Sequence, residues 1–577
     1  PLSAAPLLLT LSVFIMILSL AGCLLSSGPL DAHSDMHFPL LTPLWLVLPV
    51  LAIVGALYAR TAKNTVLLLL LVAMIAGCVL LAASKRIDMT GNYPLAVVAI
   101  SLSLLLSTSL ATTHLLGFDI HLEYQVFKLT QNASRWLQSV ALTDPATLNY
   151  NAMLSITILP TMYSAILNMN GELTFKIVYP AIFSIVTLGL FEIYRGQVGR
   201  KAAFLSTFFF MSQSTYFTEM LALARQVIAE LFFVLVMLLL LDERSNPLKK
   251  KILILVFSAA LIVSHYGTTY LYLLYLSTWW ISSLLMNNQK SKTLSMTTII
   301  LIAAMTFSWY VYGSSSSPFE SVVVLGKRLA VTFVTDFLDP ATRAGALAGI
   351  GLIGPAQSFM HQIGRIVWYV TEFLIVIGFA SLLARKRETP FSRQYVPAVF
   401  VSMGILALAV ILPYFADAYH ITRIYHVALL FLSPLCISGG KTLLEEGSRM
   451  IPVYKKIMGK HFWVILASIL VIFFLFSTGF VYEVAGDIPT SPILSGQRMA
   501  PWLLYNYVTH ELEPPCARWL SLNAPSTSKI YVDVTARYHV LLSYAMFPLE
   551  RVVTLSNATK AVDSGSYIYL RPLNVNE

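Results

Sequence analysis

Three side chains able to move protons or bind metal stand close together in the stretch Gly117-Phe118-Asp119-Ile120-His121-Leu122-Glu123-Tyr124. Asp119 and Glu123 are four apart, so a helix would bring both carboxylates to one face, where they repel mildly. A carboxylate of this kind can take a proton from an attacking hydroxyl. The same residues also suggest a mixed oxygen and nitrogen ligand set, with Asp119 and His121 as candidate ligands for Mn²⁺ or Mg²⁺. Hard cations prefer several oxygens, so metal-free chemistry is the favoured reading and no cofactor is assigned. A loop end would explain an acidic pair alone. Its address makes this pair informative: it follows Tyr93 to Ala111, an apolar segment long enough to span a bilayer, and charge beside hydrocarbon is costly unless water, a partner or a substrate meets it.

The elements that must position these residues are membrane helices. Of 577 residues, 57% are hydrophobic and only 11% charged, against about 25% charged in a soluble protein. Apolar runs of spanning length recur and give about 14 spans. After four N-terminal ones they fall near 174–194, 202–217, 226–242, 252–264, 266–286, 294–312, 366–384, 394–413, 423–440 and 461–482. The first, Pro6 to Leu25, is longer than a signal-peptide core, and because the chain opens with Pro1, its natural start is read as missing.

The net charge of +10 sits in short loops between spans, which marks the cytoplasmic side and not a nucleic-acid surface. Arg195, Arg200 and Lys201, Lys249 to Lys251, Lys290 and Lys292, Arg385 to Arg387, and Lys455, Lys456 and Lys460 all fall on that side. Lys85 and Arg86 agree, whereas Arg60 and Lys63 come out on the opposite side. Cys23, Cys78, Cys436 and Cys516 are scattered without metal or disulfide spacing. The sequons at Asn132 and Asn557 lie on the external side of this topology.

Polar residues from distant parts of the chain then converge on the same external boundary. They are Asp119, His121, Glu123, Glu219, Arg225, Gln226, His265, Tyr266, Asp417, His420, Arg423 and His426. Arg225 and Arg423 directly open apolar spans, and His265-Tyr266 separates two. Arg423 could instead snorkel to lipid headgroups, and His265 could be a packing residue.

The order of features from about 110 to 290 resembles the GT-C superfamily of membrane glycosyltransferases. Gly117 to Tyr124 resembles its external acidic motif, and Tyr150 to Asn168, with Pro160 inside, its membrane-surface helix. Lys176 to Tyr194 followed by Arg195 to Ala203 looks like the superfamily's span, basic turn and returning span. Phe217-Thr218-Glu219 and Leu223-Ala224-Arg225-Gln226 stand where relatives carry a second acid and an arginine. The whole chain is also similar to an uncharacterised family of archaeal multi-pass proteins. It departs from better-studied members in its additional early spans and in its looser Asp-Ile-His-Leu-Glu motif.

The resemblance implies inverting transfer of a sugar from a polyprenyl-phosphate donor to a glycan, lipid or protein acceptor, at the outer face of a plasma membrane. Asp119 would be the base, with Glu123 or Glu219 orienting the acceptor and His121 tuning Asp119. Partial burial should raise the pKa of such a base. Arg423, assisted by Arg225, His265, Tyr266 and His420, would hold the lipid phosphate. The rivals are a transporter or flippase of lipid-linked saccharides and a non-catalytic scaffold of a cell-envelope complex.

The expected fold is therefore an all-α polytopic membrane protein with a small external C-terminal α/β domain. Additional transmembrane helices fill 1–92 and a catalytic transmembrane core with external loop 113–173 fills 93–312. An external loop or lid occupies 313–365, further transmembrane helices 366–483 and the external soluble domain 484–577. That last part holds short β-branched and aromatic runs at 529–534, 551–555 and 566–570.

Overall fold

A computed structural model describes residues 42–84, 91–137, 145–242, 245–285, 294–313, 339–349, 358–384, 390–415, 419–450, 452–488 and 506–572, with scattered positions in 323–337 and at 494, 504 and 574. The run Pro6 to Leu25, Lys85 and Arg86, Lys290 and Lys292, Ser314 to Pro318, Arg385 to Arg387 and Asp417 lie outside the described residues.

Apolar runs become helices because a helix alone satisfies its own backbone in hydrocarbon. In chain order they are α1 (Thr42–Ala62), α2 (Val66–Ala83), α3 (Tyr93–Ser109), α4 (Asp119–Ala133), α5 (Pro145–Asn151), α6 (Ile158–Ile166), α7 (Tyr179–Val198) and α8 (Arg200–Met211). Then follow α9 (Ala224–Leu241), α10 (Pro247–Ile262), α11 (Tyr266–Leu285), α12 (Met296–Ser308), α13 (Phe359–Ala384), α14 (Val396–Ile411), α15 (Ile421–Met450) and α16 (Pro452–Ser477). Among the described residues, seven helices are long and apolar enough to cross a membrane, and three shorter apolar helices accompany them. This is a membrane protein. The segment read as one surface helix, Tyr150 to Asn168, is divided between α5 and α6, with Pro160 in the first turn of α6, where a missing N–H costs nothing.

Two local devices hold the bundle. Pro434 inside α15 removes an N–H and so leaves a carbonyl four residues back without its usual donor. The Tyr194 hydroxyl of α7 donates to that carbonyl, Leu430 O, at 2.9 Å, and the Tyr395 hydroxyl donates to Phe431 O at 2.8 Å. The freed carbonyl is thereby satisfied from outside the helix. Where α13 meets α15, a Cβ on Gly439 would overlap the Leu374 carbonyl oxygen and one on Gly378 the Leu435 carbonyl oxygen. Small residues are what let membrane helices approach this closely.

The chain ends on a parallel sheet of order β2-β1-β3, with β1 at Ile530–Val532, β2 at Val552–Thr554 and β3 at Tyr567–Ile568. Ile530 faces Val552 and Tyr567 in register. α17 (Glu513–Asn523) joins Ile530, Val532, Val540 and Val552 in a separate apolar cluster through Ala517 and Leu520. Arg571, only 1% exposed, donates to Glu513 at 2.7 Å and to Val508 O at 3.0 Å, tying the stretch after β3 to the start of α17. This region also touches the α3–α4 loop: Leu116 and Val508 form an antiparallel bridge.

Gly439→Val should force α13 and α15 apart. Overpacking of this kind costs about 1–3 kcal/mol, so the variant in detergent should melt several degrees below the parent. An unchanged melting temperature would contradict the close crossing.

Candidate active site

The α3–α4 loop turns at Gly117, whose φ of 107° lies in the region open to glycine. A Cβ there would also overlap the side chain of Ala222, and the Gly117 N–H donates to Tyr507 O at 2.8 Å. The turn therefore sets the start of α4 against the short helical turn Glu219–Ala222 and against the 507–508 segment. Asp119 and Glu123 then face the first residues of α9.

The centre of the site is a charge network. The Ala224 N–H, at the electropositive start of α9, donates to Glu123 Oε2 at 2.9 Å. Arg225 donates through one nitrogen to Glu123 Oε1 and through the other to Asp119 Oδ2 at 2.8 Å. Its guanidinium lies 4.4 Å from the centre of the Tyr150 ring, a cation–π stack. Arg423, in the first turn of α15, reaches Asp119 Oδ2 at 3.0 Å and stands 3.9 Å from Glu219 Oε2. The Thr422 hydroxyl donates to the same Glu219 oxygen at 2.9 Å. Asp119, Glu219, Arg225 and Arg423 thus meet in one place, as expected from their positions at span ends.

Two sequence expectations need correction. Glu123 is 0% exposed, so it cannot orient an acceptor; it holds Arg225 and the start of α9 instead. Asp119 does not carry the raised pKa expected of a buried base. Burial alone raises it, but the guanidiniums of Arg225 and Arg423 and the nearby His420 outweigh burial and hold the carboxyl at about 2. Burial pushes Glu123 the other way, up to about 7, against the pull of Arg225. Two carboxylates one turn apart are thus driven in opposite directions by their surroundings.

His121 is also redirected. Side chains two apart on a helix do not share a face, and the His121 ring stacks on His539 at 4.2 Å, fully buried. Its Nε2 lies 3.4 Å from the Thr509 hydroxyl, and burial lowers its pKa to about 3. It neither touches Asp119 nor pairs with it as a metal ligand; it seats the C-terminal region on α4. Among the described residues no three His, Cys, Asp or Glu side chains gather to hold a metal ion. Asp119 already faces two guanidiniums, surroundings unsuited to a divalent cation.

Two clefts open onto the network and share Arg423. One, about 850 Å³ with its open mouth included, is lined by Asp119, Glu219, His420, Thr422, Arg423 and Tyr507. His420 borders it from a left-handed backbone, φ 55°, an uncommon conformation that turns the chain into α15. The other, of about 480 Å³, is lined by Arg225, His265, Tyr266, Tyr419 and Arg423 among others. His265 Nδ1 lies 2.8 Å from the Thr268 hydroxyl, and burial, reinforced by Arg225 and Arg423, keeps the ring neutral. The Nε atoms of Arg225 and Arg423 are buried and have no hydrogen-bond partner. Two guanidiniums, Arg225 and Arg423, lining one cleft are a place for an anion.

His426, grouped with the boundary residues in the sequence, lies deeper and pairs with Glu230 at 3.1 Å, both fully buried. Glu230 was missed, although a lone carboxylate within the apolar run of α9 was its signal. Glu172 was missed as well; it accepts from the Tyr544 hydroxyl at 2.6 Å and faces His114 at 3.0 Å. Nothing in its local sequence separates it from an ordinary polar turn.

The family described as predicted membrane protein, DUF2206, has a model that matches residues 250–577, more than half of the chain. The chain belongs to that family. The DUF2206 match includes His265, Tyr266, His420 and Arg423, while Asp119, Glu123, Glu219 and Arg225 precede it. No curated protein matches the chain. Among solved structures it is similar to the oligosaccharyltransferase AglB from Archaeoglobus fulgidus, in complex with an inhibitory peptide and a dolichol-phosphate. That match has 10% identity and a TM-score of 0.45, over 80% of this chain and 64% of AglB. It is similar as well to ArnT from Cupriavidus metallidurans bound to undecaprenyl phosphate, at 10% identity and TM-score 0.43, over 82% and 86% of the two chains. The mycobacterial arabinofuranosyltransferase AftD follows at 13% identity and TM-score 0.42, over 78% and 31%. The chain spans just under two thirds of the length of the oligosaccharyltransferases it matches.

Glu123→Ala would leave buried Arg225 with an uncompensated share of its charge. The expected loss of stability is about 3–5 kcal/mol, whereas Glu123→Gln, which still accepts from the Ala224 N–H, should lose less than half as much. Equal losses in thermal or denaturant unfolding would remove the holding role assigned to Glu123.

Proposed function

We propose that this protein transfers a sugar from a polyprenyl-phosphate donor to an acceptor hydroxyl at the external face of the plasma membrane. The observation that carries the reading is the position of Asp119. It lines one of two clefts that share Arg423, and it pairs with both Arg225 and Arg423, which line the other. The resemblance of residues 110–290 to GT-C enzymes agrees with it. The charges of this network, Asp119, Glu219, Arg225 and Arg423, gather at helix starts, whereas a transporter would bind its substrate near mid-membrane.

In this reaction the donor phosphate lies in the cleft of Arg225, His265, Tyr266, Tyr419 and Arg423. The acceptor hydroxyl enters the cleft of Asp119, Glu219 and His420. Asp119 takes the hydroxyl proton as the oxygen attacks the anomeric carbon from the face opposite the phosphate. The bond from that carbon to the phosphate oxygen breaks, and the electron pair leaves with the lipid phosphate. Arg423 and Arg225 bind the charge that grows there. Glu219, oriented by Thr422, positions the acceptor. The low pKa of Asp119 belongs to the protein without donor. A phosphate that engages Arg423 draws that guanidinium away from Asp119, and the carboxylate becomes a stronger base when the substrate is present.

Asp119→Asn should lower transfer from a polyprenyl-phosphate sugar by about 10²–10⁴-fold, the usual contribution of a general base. Turnover equal to the parent would eliminate Asp119 from that role. Arg423→Ala should slow the reaction by about 10²–10³-fold, and Arg423→Lys, lacking the fork, should restore little of it.

The pH dependence separates the two states of Asp119. As a base it must be ionised, so activity falls as pH drops through its pKa. In kcat/KM, which reports the free enzyme, Asp119 with its pKa near 2 contributes no acid limb above pH 4. In kcat, which reports the bound complex, the limb should move to higher pH. Coincident limbs would contradict release by the donor.

A further inference from the structure

A third cavity, which the reaction above does not use, adjoins the first. It spans about 840 Å³, its open mouth included, between the start of α15, the middle of α13, the end of α14 and the turn after α8, and it includes Thr422 in its wall. Thr422 also borders the Asp119 cleft and donates to Glu219. The two cavities therefore meet at one side chain.

Its lining is mixed: Leu406, Val410 and Ile421 are apolar, but they stand beside polar side chains that a lipid tail would leave unmet. Glu372 stands in α13 within an apolar run, where an ionisable group costs about 2.5–3.5 kcal/mol even by the mildest scales. The Tyr425 hydroxyl donates to its carboxylate. Across the cavity, Gln213 is only 5% exposed, yet its Nε2 has no hydrogen-bond partner. A buried amide donor left without a partner costs about 1–3 kcal/mol, so a group that accepts from it is missing. Thr215 adds a hydroxyl, and the Trp368 and Tyr425 rings, 6.2 Å apart, supply an aromatic wall.

We infer that this cavity binds an uncharged sugar ring of the acceptor. A ring bearing several hydroxyls can donate to Glu372, accept from Gln213 and lay its C–H face on Trp368. An anion is disfavoured by the carboxylate, and a purely apolar chain would leave the Gln213 donor unmet. The space suits a single sugar ring. A ring held here presents its neighbouring hydroxyl past Thr422 to Glu219 and Asp119. The role as acceptor site rests on the proposed glycosyl transfer; the binding itself rests on the cavity alone.

The test uses the full chain in lipid nanodiscs and equilibrium dialysis with radiolabelled glucose, mannose, galactose and N-acetylglucosamine. At least one should bind with a dissociation constant on the order of millimolar, as expected for a few neutral hydrogen bonds. Glu372→Gln and Gln213→Leu should each weaken it at least about tenfold. Trp368→Leu provides an independent variant should either misfold. No binding of any sugar to the parent, or binding indifferent to all three substitutions, overturns the inference. Tighter binding of tetramethylammonium than of every sugar also overturns it, reassigning the cavity to cations. If sugars bind as stated but the parent transfers nothing from any polyprenyl-phosphate donor, the transfer reading falls and the sugar site stands. If the parent transfers sugar and Glu372→Gln changes neither the acceptor KM nor sugar binding, the reverse holds.

Discussion

A guanidinium buried at the edge of hydrocarbon must be surrounded by opposite charge, and much of this site follows from that requirement at Arg225. One carboxylate, Glu123, is spent entirely on satisfying it. The second, Asp119, is shared with Arg423 and remains 16% exposed. The network therefore joins three parts of the chain: the helix that carries both acids, the helix that Arg225 opens and the helix that Arg423 opens. Because Asp119 bridges two cations, no single ligand can approach it without disturbing the balance between them. In the proposed reaction that coupling lets donor binding prepare the base.

Much of the architecture was legible in the sequence because it depends on quantities summed over many residues. Apolar run length places α7, α9, α10 and α11 within a few residues of their observed limits, and even the narrow division at His265 holds. Arg225 and Arg423 were legible for a related reason: a guanidinium as the first polar residue of an apolar run has few bland explanations. What stayed hidden depends on three-dimensional neighbours. Asp119 was assigned the ordinary effect of burial, but no local pattern reports that two cations from residues 225 and 423 will flank it. His121 sits between two functional-looking acids in sequence, yet the helix turns it onto His539, 418 residues further along. Glu372 occupies an apolar run with no companion charge nearby, and only the fold brings Gln213, Thr215 and Tyr425 around it.

Pro434 illustrates how polar side chains serve structure and not chemistry. Tyr194 within α7 and Tyr395 just before α14, both buried, hydrogen-bond carbonyls of α15 close to that proline. Buried tyrosines between apolar helices invite functional interpretation, but these are accounted for by the backbone they satisfy. The distinction lies in whether a polar atom already has a partner. It does for these tyrosines; it does not for Arg225 Nε, Arg423 Nε and Gln213 Nε2.

The clasp between Gly117, Leu116 and the 507–508 segment has a consequence for biogenesis. Its two halves are separated by nearly 400 residues, as in the contact between His121 and Thr509, 388 positions apart. At roughly 5–20 residues per second of synthesis, the early loop waits on the order of 20–80 seconds for its partner. During that interval the acidic turn of α4 stands at the membrane surface without its cover, and without Arg423 for most of it. Assembly of the site is thus a late event in the life of the nascent chain, and a ribosome that stops short of residue 508 releases a bundle whose charged centre is still open.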